Sequence, residues 1–159
     1  MKEVSTMRFF TSIAFAGALA GLVLASGARA GSDPDRDPAA VAERCIARIH
    51  TIGEAAVTHI VMTTARTVSA IEELLAAGDV EGAQAAARHG AARARRLGRR
   101  GIGGIHETAE SCIRVIRRLG GDRELVHGVI QAARTTSARI EAAVEECLRR
   151  IREALEAAG

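Results

Sequence analysis

Pro34 and Pro38 are the chain's two prolines, so everything beyond Pro38 lacks the residue that most effectively interrupts a helix. Over that stretch aliphatic residues recur three and four positions apart. Val41, Cys45, Ile49 and Ile52 begin one such stripe; Ile105, Ala109, Cys112 and Ile116 make a second; Val126, Val129, Ala133 and Ile140 make a third. This is the spacing of one face of an α-helix, and no run alternates as a half-buried strand would.

Stop signals cut the stretch into pieces. Asp37 followed by Pro38 is an N-cap with proline in the first turn. Gly78 followed by Asp79 supplies a C-terminal glycine and the next N-cap, and Gly120, Gly121 and Asp122 repeat that logic. The predicted fold is therefore all-α: an up-down-up bundle of three long antiparallel helices over 38–77, 80–119 and 123–157. Gly98, Gly101, Gly103 and Gly104 fall inside the second helix, which is expected to be kinked or broken over 98–104.

The segment before Pro38 reads differently. Lys2 and Arg8 precede an apolar run over 9–24, and Ala28, Arg29 and Ala30 end it in the small-x-small pattern of a cleavage site. Residues 1–30 are expected to be a secretory signal peptide, 31–37 a disordered linker and 38–159 the bundle domain. The compartment that follows is periplasmic or extracellular, with membrane attachment only if the signal is retained.

The formal net charge of +3 is largely contributed by Lys2, Arg8 and Arg29, so the chain beyond Ala30 is close to neutral. All three Phe, at positions 9, 10 and 15, lie in the signal, and the chain has no Trp or Tyr. Without aromatic rings the bundle domain offers no platform for stacking bases, which argues against nucleic acid as a partner. Ser69, Ser111 and Ser137 have no recognisable triad around them, and Glu72, Glu73, Glu145 and Glu146 read as solvated helix surface. Neither enzymatic activity nor a cofactor is expected.

Three features remain as site candidates. Cys45 and Cys112 are equidistant from the Gly78 turn, so the first two helices should bring them face to face as a disulfide, while Cys147 is left over, as a core thiol or an intermolecular bridge that would make a homo-oligomer. A thiolate and imidazole metal site would use Cys45, Cys112 and His127, although no CxxC, HExxH or ExxH pair supports it. Arg93, Arg95, Arg96, Arg99 and Arg100 crowd one stretch and could meet an acidic protein or an anionic surface. The nearby glycines could present backbone N–H groups to an anion if a helix began there.

The sequence thus suggests an exported structural or interaction module. The alternatives are a metal- or redox-responsive periplasmic protein using Cys45 and Cys112, and an Arg-mediated binder of anionic lipid or surface polymer. An internal echo, in which 42–49 resembles 109–116 and 59–70 resembles 127–138, further suggests an ancient duplication.

Overall fold

Asp37, Asp79 and Asp122 each accept a hydrogen bond from a backbone N–H of the turn that follows, at 3.1 Å from Ala39, 2.8 Å from Gly82 and 2.9 Å from Leu125. These bonds satisfy donors that a helix start otherwise leaves unpaired, and they mark the three helix origins. In the computed structural model, which describes residues 36–157, the helices are α1 (Pro38–Ala76), α2 (Val80–Arg118) and α3 (Arg123–Glu156). The predicted signal peptide and nearly all of the predicted linker lie outside the described residues.

Both connections use one device. Gly78 and Gly120 have φ of +78° and +76°, in the left-handed region that glycine enters without a Cβ penalty. After α1, Asp79 N–H donates to the Leu74 carbonyl at 2.9 Å and Gly78 N–H to that of Leu75 at 3.0 Å. After α2, Gly121 N–H donates to Ile116 at 2.8 Å and Gly120 N–H to Arg117 at 3.1 Å. This paired closure is the Schellman motif, which satisfies the last carbonyls while reversing the chain. The helices accordingly run up, down and up, and each packs against the other two.

The core has a longer period than the three-and-four stripe. Ile49, Ile60 and Ile71 in α1, Ala83, Ala94, Ile105 and Ile116 in α2, and Val129, Ile140 and Ile151 in α3 stand eleven residues apart, and none is more than 4% exposed. Eleven residues in three turns is ~3.67 per turn, close to the ~3.6 of a straight helix. The 39-residue α1 and α2, each ~58 Å long, can therefore keep one side inward along their whole length without the left-handed winding that a seven-residue period imposes.

A second eleven-residue series sets the register of α1 against α2. Cys45, Ala56 and Thr67 face Cys112, Gly101 and Gly90 in turn. A Cβ added to Gly101 would come 2.7 Å from that of Ala56, and one added to Gly90 would overlap Thr67. The disulfide pair is thus the covalent member of three close approaches.

The interruption expected over 98–104 is absent: α2 is continuous from Val80 to Arg118. Gly98 and Gly101 are buried and serve as notches rather than breaks, since a Cβ on Gly98 would lie 2.7 Å from Val144 Cγ2. Packing against α1 and α3 outweighs the helix-propensity cost of about 1 kcal/mol per glycine. The two segments of the suggested duplication occupy unlike settings, because 38–76 is one helix whereas 105–143 includes the Gly120 turn.

Candidate functional site

The Cys45 and Cys112 sulfurs are 2.05 Å apart, with the Cα atoms at 6.1 Å, so the two cysteines are bonded to each other. Their pairing follows from the turn geometry alone, and a bond of this kind belongs to an oxidising compartment. No helix among the described residues is long and apolar enough to cross a membrane.

The metal site considered from the sequence is not assembled. Both sulfurs are spent in the disulfide, and neither remains as a thiolate ligand. His127 is exposed and lies beside Arg123 and Glu124 in a shallow depression. His50 Nδ1 instead stands 3.3 Å from the Thr136 hydroxyl, and no group of three His, Cys, Asp or Glu side chains among the described residues could hold a metal ion. Cys147 is a free thiol only 1% exposed, buried in the core rather than presented to a second molecule. Because α2 is unbroken, the glycines over 98–104 offer no helix N-terminus to an anion.

The arginines, by contrast, are sorted. Ala94, Gly98 and Gly101 point α2 inward, and the cationic side chains fall on either flank of that line. Arg95 and Arg99 line a groove between α2 and α3 together with Glu141 and Glu145, so positive and negative charge meet there. Arg93 lies on the other flank, in the groove between α1 and α2, where α1 contributes Arg66 from the opposite wall, and Arg96 and Arg100 line an adjoining depression on α2 with Arg93 and Leu97.

No carboxylate lines that second groove. On α1 no acid occurs between Glu54 and Glu72, and on α2 none occurs between Glu81 and Glu107. Arg66, Arg93, Arg96 and Arg100 make no ion pair within the described residues. His59 and His89 also border it. The five arginines marked from sequence are therefore divided three to two between the two flanks of α2, and Arg66, outside the crowded stretch, faces the larger group across the groove. Helical periodicity separates 93, 96 and 100 from 95 and 99, but only the bundle shows which flank faces acidic residues.

The groove is not purely polar. Met62 is 47% exposed and Leu97 half-buried along its floor, and Ala70 and Ala86 continue that floor toward the Gly78 turn.

No family model matches the chain, and neither a curated protein nor a solved structure matches it. The groove's own chemistry is therefore what guides a functional reading.

Proposed function

We propose that the chain is an exported interaction module without catalytic activity: a disulfide-stapled helical rod that presents the cationic α1–α2 groove to an acidic partner. The observation that carries this reading is the pairing of Arg66 with Arg93 across the α1–α2 groove, continued on α2 by Arg96 and Arg100, with no carboxylate in the lining. Unbalanced cations on a rigid surface raise the local concentration of anions and speed their encounter. The disulfide and the signal-like pattern at 1–30 support placement in the periplasm or outside the cell. The absence of a catalytic role is supported by the carboxylates: every one among the described residues is exposed except the half-buried helix cap Asp37.

Two measurements test the reading. Mass determination of protein recovered from the cell envelope should give a chain beginning at Gly31 with Cys45 and Cys112 oxidised; an intact N-terminus with free thiols in the cytosol would overturn export. Sedimentation with immobilised polyglutamate at low salt should retain the wild type and the Arg95→Glu/Arg99→Glu variant. It should lose the Arg93→Glu/Arg100→Glu variant, and the interaction should weaken as salt screens it. Equal loss in both double variants would remove the groove as the site.

A further inference from the structure

We infer that the partner is one acidic amphipathic helix, laid lengthwise in the α1–α2 groove as a fourth rod of the bundle. This rests on the groove being the docking surface proposed above, and it adds the form of what docks. Charge by itself suits any polyanion. The floor is more selective: Met62 and Leu97, followed by Ala70 and Ala86, offer apolar surface between the two basic walls. A chain of phosphates or carboxylates has nothing apolar to place there, whereas an amphipathic helix lays down residues three and four apart and keeps its acids on the flanks. Methionine suits such a floor because its unbranched thioether adapts to the side chain it receives.

The dimensions agree. The lining runs from His59 to Ala70 on α1 and from Ala86 to Leu97 on α2, which at ~1.5 Å per residue is ~17 Å, the length of a helix of about 11 residues. Arg93, Arg96 and Arg100 project at steps of three and four, so carboxylates at the same steps on a helix running alongside α2 meet them in register. Arg66 on the far wall requires acids on the partner's other flank as well.

A second copy of this chain does not supply that helix from its described residues: α1 and α2 carry no acid over 55–71 and 82–106, and the acids of α3 stand among arginines. Glu141 and Glu145 already share a groove with Arg95 and Arg99. Arg149 donates to Glu146 at 2.6 and 2.9 Å and also to Glu153, and its hydrogen bond holds the Glu146 carboxyl below the ordinary carboxylate range. Arg139, Arg150 and Arg152 interleave with these acids along α3. The occupant is a helix of another protein.

The test uses the processed protein with its disulfide intact and three probes: a fluorescent designed helix of Leu, Ala and Glu, about 20 residues long so that it forms in water; a scrambled peptide of the same composition; and vesicles containing phosphatidylglycerol. The designed helix is expected to bind at least about tenfold more tightly than its scramble. Arg93→Ala/Arg100→Ala and, separately, Met62→Gln should each weaken it by about tenfold, and Arg95→Ala/Arg99→Ala should leave it unchanged. These side chains are exposed, and an unchanged melting temperature verifies that each variant folds. Equal binding of helix and scramble, lost in the Arg93/Arg100 variant, overturns the helix while keeping the cationic groove. Binding to vesicles alone overturns it in favour of lipid. No binding to any probe removes the docking surface itself.

Discussion

A Cβ on Gly53 would overlap the Thr136 methyl, and Thr136 has little room to yield because it is 2% exposed and its hydroxyl is 3.3 Å from His50 Nδ1. Gly53→Ala should therefore lower stability by about 1–3 kcal/mol despite the better helix propensity of alanine. Removing the offending methyl in the Gly53→Ala/Thr136→Ser double variant should recover part of the loss, measured as a coupling energy in a double-mutant cycle. Gly103 gives the opposite result. It lies in the same class of position by sequence, but no atom stands within 4 Å of its missing Cβ, so Gly103→Ala should raise stability by about 0.5–1 kcal/mol in urea unfolding. Nothing local to the chain distinguishes these glycines. What separates them is the identity of the residue on the facing helix, and for that reason the cluster over 98–104 reads as a break in the sequence, whereas in the bundle Gly98 and Gly101 are notches and Gly103 is not.

At the scale of the helices, the punctuation was legible and the long period was not. Gly78 with Asp79, and Gly120 with Gly121 and Asp122, act through their own backbone conformation and their own side-chain oxygens, so their effect needs no tertiary partner. With the first turn located, placing Cys45 opposite Cys112 followed. The eleven-residue step was present in the spacing of Ile49, Ile60 and Ile71, but Ala83 and Ala94 occupy the same step in α2, and alanine is too common in this chain to announce a core position. The division of the arginines was half visible, as two periodic sets, and the character of each groove depended on the neighbouring helix. The caps carry a measurable share of helix stability: Asp79→Ala, which leaves the Gly82 N–H without its acceptor, should cost about 1 kcal/mol with no change in the folded circular dichroism spectrum.

At the scale of the molecule, the core among the described residues is built mainly from Ile, Val and Ala with no aromatic ring, so each residue contributes modest apolar area and the crosslink carries correspondingly more weight. Cys45 and Cys112 are 67 residues apart, and closing a loop of that length stabilises by about 4 kcal/mol in the chain-entropy description. Against a typical total of roughly 5–15 kcal/mol this is a large fraction. Cys45→Ser/Cys112→Ser, or reduction of the wild type, should lower the melting temperature by about 15 °C in a calorimetric scan; a shift of only a degree or two would mean that the reduced, unfolded chain is already compact. Through the same bond, residues 45–112 form a closed covalent circle from which α3 hangs as a tail. A protease that cleaves before aspartate should expose the difference on a denaturing gel. A single cut before Asp79 opens the circle yet leaves one molecule until reductant is added, whereas a single cut before Asp122 sheds α3 at once.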